Sequence, residues 1–285
     1  MMNDSVQDAL RGSMIRLRQG VNLQVCHSPG STPAIVFLHG GTGNRFNLRV
    51  QYEFARNQGW EVLAYDLAGH GQSSAYSRYS IDRHRRDLKR LLQHFNIESP
   101  ILCCHSYGVP IGLEFAHHYS VSGIIAIAGG AHNLAPWWEI PLMKFMGWGG
   151  RYIFKLPGVQ LLSNRVTTSY SHATIARFFR ECPVPTDFQT YKALEIFWNY
   201  SFFSRNPSSK ISQVPVLVIS GDKDPTFTLE MGDELASMFA DRSHLHLKNA
   251  GHLVMAECSE LVNAAIGDWV KKLATNTTDV TGGLL

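Results

Sequence analysis

One serine stands in a local pattern that is typical of a nucleophile. Ser106 is the middle residue of the pentapeptide Cys-His-Ser-Tyr-Gly at 104–108, which follows an apolar run and precedes a helical pattern over 109–118. A tight turn from a strand into a helix points the middle side chain outward above the sheet edge, and small flanking residues let neighbouring backbone pass closely. The alternative is an ordinary helix N-cap. The strand before the serine and the helix after it favour the nucleophile.

A serine hydroxyl needs a general base at neutral pH, and the base needs a carboxylate to orient it and stabilise its charged form. His252 and Asp224 supply these two groups, each in a loop that follows a predicted strand. Asp222 lies two residues upstream of Asp224 and is the competing acid. Ligands bind at the carboxyl ends of the strands in open α/β sheets, where such loops meet. We therefore predict that Ser106, His252 and Asp224 converge at that edge.

The elements that must position these side chains are short apolar runs that alternate with helical patterns. The predicted strands occupy 21–26, 34–38, 61–65, 101–104, 123–128, 216–220 and, with a weaker pattern, 244–247. The predicted helices cover 80–95 with Ser80 as N-cap, 229–239 and 259–273. Strands that alternate with helices predict an α/β protein whose mostly parallel sheet is flanked by helices on both faces.

Four further motifs lie in a fixed order around Ser106. They are His-Gly-Gly at 39–41, Asp-x-x-Gly-x-Gly-x-Ser at 66–73, Gly-x-x-Asp at 221–224 and Gly-His at 251–252. Together with the serine turn they resemble the α/β-hydrolase fold family, in its esterase- and lipase-like form with a helical cap. The serine turn departs from the family's Gly-x-Ser-x-Gly at its first position, where Cys104 replaces glycine and predicts greater local strain.

The resemblance implies a domain arrangement and a mechanism. It implies a hydrolase core over 1–130 and 213–275 with a helical cap, or lid, over 131–212. It also implies a catalytic triad of Ser106, His252 and Asp224, with the backbone N–H groups of Gly41 and Tyr107 as the oxyanion hole. The family's Gly-x-x-Asp spacing favours Asp224 over Asp222. The Thr-, Asn- and Gly-rich end of the chain predicts a flexible tail over 276–285.

The segment 131–212 contains 16 of the chain's 31 Phe, Trp and Tyr residues, helical patterns over 170–180 and 187–203, and no clear buried strand. A helix that is apolar on all sides must be covered, either by the core or by a ligand. We keep both interpretations: plain packing, and a substrate-facing wall that selects a hydrophobic acyl or aryl group. The pocket residues would be Trp137, Trp138, Met143, Phe145, Met146 and Leu253.

These observations favour hydrolysis of a carboxylic ester, followed by a thioester, through an acyl-enzyme intermediate. C–C bond hydrolysis and cofactor-free perhydrolysis use the same three residues and stay open. Epoxide hydrolases and dehalogenases are disfavoured, because proteins of those classes resemble this fold with Asp in place of Ser106. A small-ligand receptor without catalysis is the alternative of another class. The predicted partner is a small hydrophobic ester-like molecule, and the sequence calls for no cofactor and no metal.

The charge pattern argues against other classes of function. The formal net charge is only +3, and the one basic cluster, at 83–90, lies on a predicted helix where a solvated face is expected. Nucleic acid binding is therefore not predicted. The glycine-rich stretch at 40–43 follows a strand but lacks the lysine of a phosphate-binding loop. His244 and His246 share one face of a strand, but no third metal ligand is evident, which favours a polar face.

The chain shows no targeting or membrane pattern. Residues 1–8 are polar and acidic, unlike a secretory signal, and no run of about 18 apolar residues occurs. The five cysteines are an odd number, and Cys103 and Cys104 are adjacent in a predicted strand. This usage argues against a disulfide framework and fits a reducing compartment. We therefore predict a cytoplasmic protein without a transmembrane segment, and the sequence indicates no oligomeric state.

Overall fold

A computed structural model describes residues 10, 12–17, 20–130, 192–198 and 211–281, and six single residues between 141 and 178. The strands in this part of the chain are β1 (Ser13–Arg16), β2 (Asn22–Ser28), β3 (Ser31–Leu38), β4 (Trp60–Tyr65), β5 (Ile101–His105), β6 (Gly123–Ile127), β7 (Val216–Gly221) and β8 (Arg242–Leu247). They form one sheet in the order β1-β2-β4-β3-β5-β6-β7-β8.

The sheet is parallel from β4 to β8, and only β2 pairs antiparallel with its neighbours β1 and β4. This topology confirms the prediction of an α/β fold with a mostly parallel sheet. Each predicted strand is present with bounds that differ by a few residues at most. The sequence patterns missed β1, because its four residues are mostly exposed and carry no apolar run.

The α-helices among the described residues are α1 (Arg49–Asn57), α2 (Ile81–His94), α3 (Gly108–His118), α4 (Leu229–Ser237), α5 (Val254–Glu257) and α6 (Ser259–Thr281). Ser80 caps α2 as predicted, because its side chain accepts a hydrogen bond from the Arg83 N–H. Short 3-10 helices lie at Arg45–Leu48, Ala193–Trp198 and Ile211–Gln213. No helix in this part of the chain has both the length and the apolar character needed to cross a membrane.

Helices cover both faces of the sheet, as the alternation of elements predicts. Side chains from α2, α3 and α4 form one apolar cluster with Val36 and Leu38 of β3. Side chains from α1, α5 and α6 form a second cluster with Ile35 and Phe37 of the same strand. Because successive strand residues point to opposite faces, a fully buried strand reads as a continuous apolar run. The two clusters therefore form the apolar core on the two faces of the sheet.

Two expectations for the chain's later part stay predictions. The composition predicts a flexible tail over 276–285, and α6 extends into this segment as far as Thr281. Extending an existing helix fixes one residue for each new hydrogen bond, so residues of modest propensity can prolong it. The predicted cap at 131–212 lies mostly outside the described residues. Within the predicted helix at 187–203, residues 193–198 form a 3-10 helix.

Candidate active site

Ser106 occupies the sharp turn between β5 and α3. Its φ of +47° lies in the left-handed region, which costs a non-glycine residue about 1–3 kcal/mol. Two backbone hydrogen bonds hold the turn: the Ser106 N–H donates to the Ile127 carbonyl over 3.0 Å, and the Val109 N–H donates to the Ser106 carbonyl over 2.9 Å. The strained backbone thereby presents the serine side chain at the carboxyl end of the central strand.

The structure shows how the turn accommodates Cys104 where the related motif has glycine. Cys104 is fully buried, and its side chain points toward helix α3. A Cβ atom placed on Gly112 of that helix would lie only 2.6 Å from the Cys104 sulfur. The missing side chain at Gly112 therefore provides the space that the cysteine sulfur fills. Gly112, eight residues further along the chain on α3, thereby relieves the strain that is predicted at Cys104.

The structure brings Ser106, His252 and Asp224 together. His252 Nε2 lies 3.0 Å from Ser106 Oγ, and His252 Nδ1 lies 2.9 Å from Asp224 Oδ2. Ser106 begins the turn after β5, Asp224 lies in the loop after β7, and His252 lies in the loop after β8. Parallel strands deliver all three side chains to one sheet edge. The hydroxyl, the imidazole and the carboxylate form an unbroken hydrogen-bonded chain.

Asp224 is held as a buried, ionised carboxylate. Its Oδ1 accepts hydrogen bonds from the Thr226 N–H over 2.8 Å and the Phe227 N–H over 3.0 Å, and its side chain is shielded from solvent. Burial alone would raise the pKa of Asp224, but the charge of His252 and these hydrogen bonds outweigh it, so the pKa lies below its usual value. Asp222 is exposed and uses its main-chain N–H to bond the Leu247 carbonyl.

Two groups that sequence reasoning missed hold the loop that carries His252. Glu257 Oε2 accepts a hydrogen bond from the Gly251 N–H over 2.8 Å, and its Oε1 accepts one from the Leu253 N–H over 3.2 Å. His105 Nε2 lies 3.1 Å from the His252 carbonyl oxygen. Burial lowers the pKa of His105 to about 3, so the ring is neutral and donates this bond. The sequence feature that could have revealed Glu257 is its position, since it is an acidic residue five positions after His252.

The loop after β3 packs against the serine turn. A Cβ atom placed on Gly41 would lie 3.5 Å from Tyr107 Cβ, so the two backbones approach closely. His39 fixes this loop: its Nε2 accepts from the Leu67 N–H over 2.9 Å, and its Nδ1 therefore donates to the Gly40 carbonyl over 2.7 Å. The structure thus places the backbone of Gly41 beside that of Tyr107, the two residues expected to form an oxyanion hole.

The 3-10 helix at 193–198 lies next to the serine turn. The Tyr107 hydroxyl donates to the Ala193 carbonyl over 3.0 Å and lies 3.0 Å from His84 Nε2. Leu194 Cδ2 would lie 3.0 Å from a Cβ atom on Gly41, so this apolar side chain borders the loop after β3. Sequence reasoning did not predict this contact, because the position of Leu194 depends on how a separate segment folds over the turn.

A buried ion pair supports the loop that resembles the Asp-x-x-Gly-x-Gly-x-Ser motif. The Asp66 carboxylate accepts hydrogen bonds from Arg45 Nη1 over 2.7 Å, the Arg45 N–H over 2.8 Å and the Gln72 N–H over 2.9 Å. The Ser73 hydroxyl donates to the Asp66 carbonyl. A buried charge pair with this many donors keeps a loop in one conformation. The motif is a structural brace for the sheet edge.

The residues predicted to line the pocket have different outcomes. Trp137, Trp138, Met143 and Met146 lie outside the described residues. Phe145 is described, and about half of its surface is exposed. Leu253 follows His252 and is buried in the apolar cluster formed by α1, α5 and α6.

Comparisons with known proteins agree with this architecture. The model of a family described as alpha/beta hydrolase fold matches residues 33–257. Protein ABHD8 from Mus musculus is 27% identical over 267 residues, which cover 86% of this chain and 56% of the mouse protein. The chain therefore spans just over half the length of this curated relative.

Solved structures share the same fold. A thermophilic esterase from Thermogutta terrifontis has a TM-score of 0.79 at 20% identity, covering 92% of this chain and 98% of the esterase. The esterase EaEST from Exiguobacterium antarcticum has a TM-score of 0.78 at 18% identity, covering 91% of this chain and 99% of that structure. These likenesses confirm the fold class expected from the sequence motifs.

Proposed function

Because the chain belongs to the alpha/beta hydrolase fold family, we propose that it is a serine hydrolase of carboxylic esters or thioesters. The observation that supports this proposal is the 3.0 Å separation of Ser106 Oγ and His252 Nε2, with Asp224 on the other ring nitrogen at 2.9 Å. A serine that serves only as a helix cap needs no such partners. The α3 helix has no side-chain cap from its N-cap residue, Tyr107.

In the proposed first step, Ser106 Oγ attacks the substrate carbonyl carbon while His252 Nε2 takes the hydroxyl proton. The carbonyl electron pair moves to oxygen, where the backbone N–H groups of Gly41 and Tyr107 stabilise it. Each such donor contributes about 2.7–4 kcal/mol in the transition state. Asp224 stabilises the imidazolium and keeps its orientation. When the intermediate collapses, the bond to the leaving group breaks and His252 returns the proton to that group.

In the second step, water releases the acyl group. His252 Nε2 takes a proton from the water as the oxygen attacks the acyl carbon, and the same donors stabilise the second oxyanion. The bond to Ser106 Oγ then breaks, and the proton passes from His252 to the serine oxygen. The products are a carboxylic acid and the free enzyme, so no external oxidant, reductant or cofactor enters the balance. Thiol leaving groups follow the same steps.

We propose a hydrophobic acyl or aryl group on the substrate. Leu194 borders the loop that carries Gly41, and it would supply an apolar contact next to the reacting carbonyl. The aromatic composition of 131–212 supports a cap that covers this group. C–C bond hydrolysis and perhydrolysis would use the same three side chains on other substrates. The cysteine usage supports a cytoplasmic location.

A fluorophosphonate probe separates an enzyme from a receptor that has the same fold. We expect the native chain to be labelled and Ser106→Ala to lose the label, with kcat on a p-nitrophenyl ester at least about 1000-fold lower. The matched control is Ser122→Ala, which removes a serine before β6 at the opposite end of the sheet. A native chain that takes no label, or a labelled Ser106→Ala chain, contradicts the proposal. Medium acyl chains should turn over faster than acetyl.

A further inference from the structure

Three side chains meet where α4 packs against β8, the strand at the edge of the sheet. His244 and His246 lie two residues apart on β8, and Asp233 lies on α4. Asp233 Oδ1 is 2.8 Å from His244 Nδ1 and 3.2 Å from His246 Nε2, and the two ring nitrogens are 2.8 Å apart. Asp233 is thus the third potential ligand, which the sequence alone did not reveal, and the three atoms form a compact triangle.

Protons on these atoms cannot satisfy all three contacts. A carboxylate only accepts hydrogen bonds, and each ring nitrogen either carries a proton or has a lone pair. If one nitrogen is protonated, the other nitrogen and the carboxylate oxygen bring two lone pairs together. If both are protonated, both N–H groups can point to Asp233 Oδ1, but the two donor nitrogens then lie only 2.8 Å apart with no lone pair between them. A cation between the three atoms satisfies every lone pair at once.

The donor set selects the class of cation. Two imidazole nitrogens and one carboxylate oxygen suit Zn²⁺ and similar first-row transition metals, whereas Ca²⁺ and Mg²⁺ prefer oxygen ligands. An ion about 2.0–2.2 Å from each atom would lie just above the plane of the triangle. The side chains of Asp233 and His246 are 60% and 44% exposed, so the fourth tetrahedral position would face solvent. Water would complete the coordination.

A second layer of contacts already orients His244. Its Nε2 lies 2.9 Å from the hydroxyl of Ser220, which is fully buried at the end of β7. A Cβ atom on Gly232 of α4 would lie 2.6 Å from that same ring nitrogen, so the glycine makes room for the imidazole against the helix. Metal-binding histidines usually donate their second N–H to such a partner, which fixes the ring and leaves the other nitrogen free to coordinate.

We propose that Asp233, His244 and His246 bind one Zn²⁺ ion that fastens α4 to the edge strand β8. This site is separate from Ser106, and its occupancy does not depend on the proposed ester hydrolysis. The ion would stabilise the segment that follows the Asp224 loop, because α4 begins at Leu229 and carries one of the ligands. Among the described residues, no other group of three potential metal ligands lies this close together.

The test is Zn²⁺ titration of the tag-free, metal-stripped chain in competition with a chromophoric chelator. We expect a single tight equivalent in the wild type. Asp233→Asn and His246→Ala should each weaken binding by more than the roughly 10–100-fold that loss of an outer-shell partner costs. The control is His27→Ala, since His27 pairs with a single carboxylate, that of Glu61, at 2.8 Å. This variant should retain wild-type affinity.

Folding and site specificity are checked in the same samples. Because Asp233 and His246 are exposed, their variants should keep the far-UV circular dichroism and metal-free Tm of the wild type. Excess Zn²⁺ should raise the Tm of the wild type and of His27→Ala, but not that of Asp233→Asn or His246→Ala. Absence of tight binding in the wild type overturns the proposal. So does binding that survives both substitutions, or binding that depends on His252 instead.

Discussion

Replacing Asp224 by Asn should damage the proposed catalysis by changing the tautomer of His252. The two carboxylate oxygens have different partners: Oδ1 accepts from the Thr226 and Phe227 N–H groups, and Oδ2 faces His252 Nδ1. An Asn side chain must keep its oxygen at the two backbone donors, because an amide N–H there would face two further N–H groups. Its amide nitrogen is therefore directed at His252 Nδ1.

An amide N–H that donates to Nδ1 moves the imidazole proton to Nε2. Nε2 then has no lone pair for the Ser106 proton, although Oγ lies only 3.0 Å away. A tautomer change of this kind lowers kcat about 10⁴-fold in a serine protease triad. That ratio corresponds to about 5.5 kcal/mol of lost transition-state stabilisation. The side chain keeps its size, so folding should be largely retained.

The assay is steady-state hydrolysis of a p-nitrophenyl ester, with circular dichroism to check folding. The control is Asp222→Asn, which lies two residues upstream and is exposed. This change should alter kcat by no more than about twofold, because the hydrogen bond from Asp222 to Leu247 uses the main-chain N–H, which the substitution keeps. An Asp224→Asn enzyme that keeps more than about 1% of kcat would refute the tautomer argument. If Asp222→Asn were the worse variant, the acid would lie two residues upstream.

Three further predictions follow from contacts around the site. Gly112→Ala should lower the free energy of unfolding by about 1–3 kcal/mol, because the new methyl group overlaps the Cys104 sulfur. Adding Cys104→Gly should restore most of this loss. Urea unfolding of both single variants and the double variant measures the coupling, and additive effects would contradict the prediction. Glu257→Gln places an amide N–H against a backbone N–H donor and should misplace His252. We expect kcat to fall up to about 100-fold in steady-state kinetics. An unchanged kcat would disprove this role of Glu257. The free energy of unfolding, measured with urea, should fall as the pH drops from about 7 to 5. Histidines of the unfolded chain gain protons near pH 6.5, whereas burial holds the pKa values of four histidines in the native protein at about 3. A free energy of unfolding that does not change over this pH range would contradict the prediction. The four residues are His39, His70, His84 and His105.

Strand positions and the chain order of Ser106, Asp224 and His252 could be predicted from the sequence because both are local signals. The interior strand β5 is buried at every residue and therefore reads as an unbroken apolar run. The turn after it, and the loops after β7 and β8, follow each strand directly. A parallel sheet converts this local spacing into proximity in space, because its carboxyl ends share one edge. The bounds of these strands shift by only a few residues.

Contacts between separate elements could not be predicted in the same way. Glu257 accepts a hydrogen bond from the His252 loop, and Leu194 reaches the loop after β3 from a distant segment. Asp233 joins two histidines because α4 packs on β8, eleven residues away from His244. None of these pairs leaves a periodic pattern, since each depends on how one element lies over another. The strand β1 was not predicted for a different reason, because its residues are mostly exposed and form no hydrophobic pattern.

Cys104 shows that a departure from a motif must be judged by whether neighbouring residues leave room for the new side chain. In the related motif, a small residue at this position lets neighbouring backbone pass closely by the turn. In this chain the helix has a glycine, Gly112, where the sulfur arrives, so the small residue has moved to the other side of the contact. The backbone of Ser106 keeps its strained φ of +47° without a glycine two residues before it. A pattern search that inspects only the pentapeptide would reject this turn, whereas the packed pair satisfies the same steric condition.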